Sequence, residues 1–240
     1  MGEPPSARVL YVTLHRFFVD PAAMEGERFV LPASIERQVR SVLRLGDGDR
    51  LVLLPGDGSE AVCSLEAGGC VVEERRRVES EPAHRLTLVQ ALLKGDALEA
   101  VVQFGTEIGI AAFRLVVTER CIAREISSRK LERLKAIARE SAEQSERGII
   151  PDVAAPIPLR DVLAPGVVLL YERDDALRLG AIEAPETVIV GPEGGFTDAE
   201  LRAASEAGVR AAGLGALILR SQTAGPAAAA VILSRTSDFA

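Results

Sequence analysis

The chain has 240 residues, 48% apolar and 26% charged, with a formal net charge of −7. That balance suits a folded globular protein with one large domain, or one of about 150 residues with a smaller partner, and excludes an intrinsically disordered chain. No apolar run approaches the ~18 unbroken residues of a membrane helix, and "MGEPPSARVLYV" lacks the basic, apolar and cleavage segments of a secretory signal; the expected setting is the cytoplasm, with no membrane partner. Cys63, Cys70 and Cys121 are odd in number and lack close pairing, which argues against a disulfide framework or a zinc site and for small buried side chains; no metal is expected. The acidic balance disfavours nucleic acid as a partner for the whole surface, but net charge does not report distribution. Basic residues cluster at Arg75 to Arg77 and through 128–140, where a solvated helix face is an equal explanation.

In chain order, the first ~80 residues alternate short β-branched runs with Gly/Asp turns: "RVLYV", "DRLVLLPGDGSEAVCSLE" and "CVVEERRRV". This predicts a small barrel or open sheet, with a tight turn at "PGDG". Between them "PASIERQVRSVLRLG" puts Ile35, Val39, Val42 and Leu43 on one helical face and Gly46 at its end. At "ESEPAH" the apolar residues thin out and the period changes, which predicts domains over 1–80 and 81–240. The second part reads as "RLTLVQALL", a helix through "DALEAVVQFGTEIG", the strand "FRLVVT", a helix through 130–147, the strands "VVLLYE" and "TVIVG", a helix from Asp198, the strand "ALIL" and a last helix "AAAAVILSR". Buried strands alternating with helices predict an α/β fold, a parallel sheet flanked by helices.

The most informative stretch is "GPEGGFTDAE", 191–200, at the end of a buried strand. Glycines at strand ends let backbone approach a ligand, and Thr197 with Glu200 spells a capping box that opens a helix there. Neither phosphate-binding glycine pattern is present, and Glu193 would repel a phosphate; a cationic or neutral ligand fits better, with a structural turn as the alternative. "GLGALILRSQTAGPAAAAVIL", 213–233, repeats the design, so two loops form one crevice. Taken alone, the residues reach a ligand crevice on an α/β sheet and no further.

"GPEGGFTDAE" followed by "LGALILRSQTA" resembles the signature of the RsmE family, bacterial 16S ribosomal RNA uridine-N3 methyltransferases of the trefoil-knotted SPOUT class. "RFFV", "VLRLGDGD", "LLKGDALEAVVQFGTEIGI", "ERC" and "ESAEQSERGIIPDV" follow the family order across nearly the whole chain. Gln222, Phe104 and Gln38 depart from its usual Glu, Lys and His. The resemblance implies a C-terminal knotted methyltransferase domain, a smaller N-terminal PUA-like β-barrel that binds RNA, and three loops around S-adenosylmethionine. Leu170, Tyr171 and Glu172 would close one side of the cofactor, and Gly191, Pro192, Glu193, Gly194 and Gly195 a second. Leu214, Gly215, Leu217, Ile218 and Leu219 would hold the adenine, with Thr223 in the turn beyond.

Methylation at uridine N3 requires a proton to leave, and Arg220 is placed to stabilise the uracil anion. Glu193 is either the base or a partner of the helix dipole. Arg16 and Arg44 in the first domain, and Arg120 and Arg147 nearer the crevice, are RNA contacts or ordinary surface charges. The implied partners are 16S rRNA in the small ribosomal subunit and a second copy of the chain, joined through the alanine-rich last helix. Two alternatives stay open: a related knotted enzyme acting on transfer RNA or a ribose 2′-hydroxyl, and a non-catalytic RNA-binding or assembly factor.

Overall fold

The computed structural model describes residues 14–24, 26–172 and 177–236. The expected first strand, "RVLYV", lies outside them. The chain divides into two compact units, Met1–Arg77 and Val78–Ala240.

In the first unit β1 (Arg16–Phe18), β2 (Arg28–Phe29), β3 (Arg50–Leu54), β4 (Ser59–Glu66) and β5 (Gly69–Arg77) form one sheet in the order β1-β3-β4-β5-β2. Only β1 and β3 pair in parallel. No ladder joins β1 to β2 among the described residues, so the sheet is open, one of the two arrangements read from the strand pattern, and not the closed barrel that the family resemblance implies. Alternation places Leu51, Leu53, Ala61, Cys63 and Leu65 on one face, where they pack with Ile35 and Val39 of α1 (Ala33–Arg37) and its continuation. That continuation, Gln38–Val42, is a π-helical turn in which the Leu43 amide bonds the Gln38 carbonyl at 2.9 Å. The wider turn rotates the face read from the sequence: Val39 stays fully buried while Val42 is 70% exposed. Arg44, with φ 58°, takes the left-handed position after the helix that the sequence had suggested for Gly46.

In the second unit seven strands make an all-parallel sheet: β6 (Thr87–Ala91), β7 (Ala112–Val117), β8 (Asp152–Pro158), β9 (Val168–Leu170), β10 (Leu177–Arg178), β11 (Thr187–Val190) and β12 (Arg210–Gly213), in the order β10-β12-β9-β11-β6-β7-β8. It is flanked by α2 (Ala97–Ile108), α3 (Ser128–Gln144), α4 (Asp198–Glu206) and α5 (Ser221–Leu233). Leu88, Val102, Phe113, Leu115, Val168, Val188, Ile189 and Ile232 are at most 1% exposed in one continuous core. The long apolar strands are those buried on both faces, as parallel sheets require. Three strands were not read from the sequence: β8, the two-residue β10 and β12. β8 carries Pro156 and Pro158 and lacks a strand signature; it tolerates them because it is an edge strand with a ladder on one side only. The "ALIL" run is a loop, and the strand before α5 is the less apolar Arg210–Gly213.

Candidate active site

Because β12 returns beside β9, and β11 lies on the other side of β9, the segments leaving these three strands converge at the C-terminal end of the sheet. The Tyr171 amide bonds the Ala212 carbonyl at 2.9 Å, tying the exit of β9 to β12. After β11 the chain turns at once: the Gly195 amide returns to the Pro192 carbonyl at 2.9 Å, with Gly195 at φ 67°, a conformation other residues avoid. Phe196, 5% exposed, lies beneath this loop. A Cβ on Gly191 would stand 2.9 Å from its ring, so glycine is needed there for close packing.

Helix α4 then starts with the capping box read from the sequence: the Glu200 amide bonds the Thr197 hydroxyl at 3.2 Å, and the Thr197 amide bonds Glu200 Oε2 at 2.9 Å. Glu200 Oε1 also accepts the Glu119 amide at 2.8 Å, pinning the helix start to the segment after β7.

The result is an open cleft with ≈ 690 Å³ of empty space, continuous with solvent. Leu170, Tyr171 and Glu172 line one side, Gly191, Pro192, Glu193 and Gly195 another, and Leu214, Gly215, Leu217, Ile218 and Leu219 a third. Val190, Phe196, Ser221 and Ala224 complete it without having been picked out from the sequence. Ser221 and Ala224 stand three apart on one face of α5, a spacing that could have been read once the start of the helix was known. Two expected residues fall elsewhere. Gly194 abuts Arg120 instead, and Thr223 faces a groove between α2 and α5 lined also by Phe104, Gln222, Pro226 and Ala230. Pro226 is the sixth residue of α5, beyond the first turn in which proline is tolerated, and removes the amide that would bond the Gln222 carbonyl.

Among the described residues the lining holds two exposed carboxylates, Glu172 and Glu193, and no Lys, Arg or His. That charge suits a ligand bearing a positive centre, and the leucines and Ile218 offer an apolar slot for a flat ring. Glu193 Oε1 accepts the Lys94 amide at 3.1 Å. The start of α4 is capped by Thr197 and Glu200, and no bond from an α4 amide to Glu193 is found among the described residues.

An RNA methyltransferase domain model matches residues 79–233, which contain every residue of this cleft. The chain belongs to the ribosomal RNA small subunit methyltransferase E family. The Synechocystis sp. member is 33% identical over 237 residues, covering 92% of this chain and 78% of that protein. The Mycobacterium bovis member is 32% identical over 93% of this chain and 92% of its own length. A crystal structure of the Neisseria gonorrhoeae methyltransferase E bound to S-adenosyl methionine superposes with a TM-score of 0.85 at 30% identity, covering 92% of this chain and 98% of that one. A Legionella pneumophila methyltransferase with bound cofactor gives 0.81 at 27% identity, over 93% and 98%. Family members use S-adenosylmethionine, and the cleft fits that cofactor in both its charge and its apolar wall.

The arginines named from the sequence separate into two groups. Arg220, at the N-cap of α5, and Arg44 are exposed, without a side-chain partner among the described residues. Arg120 is exposed and bonds the Gly194 carbonyl at 3.0 Å. Arg16 and Arg147 are turned inward, a correction to their reading as RNA contacts. Arg16, 11% exposed at its side chain, pairs with Glu60, itself 4% exposed. Burial alone would raise the Glu60 pKa, but hydrogen bonds from Arg16 and Arg76 outweigh it and hold the carboxyl below its ordinary range. Arg147, 3% exposed, bonds the Thr106 and Ile110 carbonyls and Glu81. A charge flanked by apolar neighbours looks the same in sequence whether it faces water or a buried partner.

No group of three or more His, Cys, Asp or Glu that could hold a metal is found among the described residues. Cys63, Cys70 and Cys121 are buried and free.

Proposed function

We propose that this chain transfers the methyl group of S-adenosylmethionine to N3 of a uridine in 16S ribosomal RNA of the small subunit. The observation that carries the reading is the cleft at the ends of β9, β11 and β12, acidic and apolar in its lining, beside the exposed Arg220, which has no side-chain partner among the described residues. The cofactor, when bound, supplies an electrophilic methyl group on a positively charged sulfur. The chain's own residues prepare the other reactant. Glu193, held at Oε1 by the Lys94 amide and without a partner at Oε2 among the described residues, accepts the N3 proton. Arg220 offers a planar fork of donors to the uracil oxygens as negative charge develops. Arg44 and Arg120 contact RNA.

The finer architecture belongs to the same reading. Residues 1–80 act as a PUA-like RNA-binding domain and 81–240 as a SPOUT methyltransferase domain. In that domain the 214–220 segment, passing beside 170–172 and 191–196, closes a trefoil knot. The α2/α5 groove, apolar and bearing Phe104 at 47% exposure, supports a homodimer. The enzyme works in the cytoplasm, where ribosomal subunits are assembled; no helix among the described residues is long and apolar enough to cross a membrane.

Incubating the protein with labelled S-adenosylmethionine and undermethylated small subunits, followed by mass-spectrometric mapping, tests the assignment. Label at uridine N3 is expected. Label at a ribose hydroxyl, or on transfer RNA alone, would refute the substrate, and cofactor binding without transfer would leave an RNA-binding factor.

A further inference from the structure

The glycine loop after β11 has two flanks. The cleft occupies one, and its walls come from the ends of β9, β11 and β12 and the start of α5. On the other side of β11 lie β6 and then β7, and the segments leaving these strands meet the loop there. Lys94, after β6, gives its amide to Glu193 at 3.1 Å; Arg120, after β7, gives Nη1 to the Gly194 carbonyl at 3.0 Å. Two consecutive loop residues are thus each touched by a cationic residue that does not line the cleft. Lys94 and Arg120 are both exposed, and neither has a carboxylate partner among the described residues.

The acids nearby are largely answered by other groups. Lys130 holds Asp96 at 3.1 Å and Glu99 at 2.6 Å, Arg133 adds 2.9 Å to Glu99, and Glu200 takes the amides of Glu119 and Thr197. Arg124 is turned to the Thr118 and Glu119 carbonyls. No ion pair joins Glu119, Glu193 or Glu200 to a Lys or Arg among the described residues, and Glu200 is held by backbone amides instead.

We propose that the Lys94 ammonium and the spare donors of Arg120 form a clamp for RNA phosphodiester groups, on the flank of the glycine loop opposite the cofactor. The inference rests on the reading of the chain as an RNA methyltransferase and extends it to how the target strand is held. A uridine taken out of its stack brings its two adjacent phosphates to the mouth of the site. A chain of net charge −7 must answer them with local cations. The ammonium acts as a point charge, while Arg120 keeps a planar fork with donors left over after the Gly194 bond. Because Arg120 also holds the loop that borders the cofactor, the clamp joins RNA binding to the shape of the cofactor site.

The two parts of Lys94 can be separated. Lys94→Gln keeps the amide that positions Glu193 and removes only the charge. Affinity of the full-length protein for a fluorescein-labelled, uridine-containing single-stranded oligoribonucleotide is measured across a range of salt, beside calorimetry with S-adenosylhomocysteine. The expected result is a log–log salt slope shallower by about 0.7 for each phosphate that is no longer neutralised, in Lys94→Gln and in Arg120→Gln, with S-adenosylhomocysteine affinity of Lys94→Gln unchanged. An unchanged slope in Lys94→Gln, or no measurable RNA binding by the wild type, would overturn the clamp. So would a matching loss of S-adenosylhomocysteine affinity, which would assign the ammonium to the cofactor. A wild type that shows the slope yet methylates no small subunit overturns the enzymatic reading and leaves the clamp standing.

Discussion

Replacing Arg147 by alanine separates a buried brace from an RNA contact. The guanidinium is 3% exposed and donates to the Thr106 carbonyl at 3.0 Å and the Ile110 carbonyl at 2.8 Å, at the C-terminal end of α2. Its other edge meets Glu81 at 3.1 Å and 3.4 Å, and Glu81 Oε1 also accepts the Gly148 and Ile149 amides at 2.9 Å each. Alanine removes the cation and leaves Glu81 and two carbonyls, all at low exposure, without it. Breaking one side of a buried pair costs about 3–5 kcal/mol. The orphaned carbonyls fall within that figure, because the bonds share one side chain and do not add independently. In a domain of this size each kcal/mol moves the midpoint by about 2–4 °C, so Arg147→Ala should melt roughly 10 °C lower. Lysine should recover only part, since a point charge cannot bridge two carbonyls and a carboxylate at once. Thermal unfolding followed by far-ultraviolet circular dichroism, beside the RNA salt titration, checks this. A midpoint within about 2 °C of wild type, together with a shallower salt slope, would refute the brace and return Arg147 to the RNA surface.

Arg220→Ala should slow single-turnover methylation about a hundredfold, the loss of ~3 kcal/mol typical of a donor to a developing anion, with S-adenosylhomocysteine affinity little changed; equal losses in both would make Arg220 structural. Gly191→Val should abolish cofactor binding in calorimetry, because its Cβ would stand 2.9 Å from the Phe196 ring, which is buried and cannot withdraw. Gly194→Val, whose Cβ would press on Arg120 at 3.1 Å, should weaken RNA affinity more than cofactor affinity. Because the Glu60 pKa is depressed in the folded protein, the stability it contributes is present above the unfolded value of about 4.3 and is lost as pH falls through the folded value. Stepped-pH melts should show this acid loss in wild type and a flatter profile in Glu60→Gln. Phe104→Glu places a charge in the α2/α5 groove and should convert a dimer to monomer in light scattering; an unchanged mass would place the interface elsewhere.

The cleft was legible in the sequence because its parts are local. A β-branched run, a proline, glycines and a capping box within 187–200 dictate strand, turn and helix in succession, and each follows from short-range sterics and backbone hydrogen bonding. Leu214 to Leu219 were equally visible as an apolar run, but their conformation was not. "ALIL" has a strand's composition, yet Leu217 and Ile218 stand 81% and 79% exposed in a loop, while Arg210–Gly213, poorer in β-branched residues, pairs with β9. Pairing with a neighbour overrode propensity there. Residue types that serve both roles were read less well: Thr223 and Ser221 are two positions apart on α5, and which of them meets the cleft depends on where the helix starts.

The sequence by itself determined the α/β alternation, the glycine loop with its capped helix, and the family, since each is written in contiguous residues or in their order along the chain. Tertiary structure alone decided that β9, β11 and β12 are neighbours in the sheet, that Arg16 and Arg147 face carboxylates inside the protein, and that Lys94 and Arg120 flank the loop opposite the cleft. The physical reason is separation: Arg147 and Glu81 lie 66 residues apart and Lys94 and Glu193 lie 99 apart. Nothing in a local pattern tells a long charged side chain whether water or a distant strand will be its neighbour.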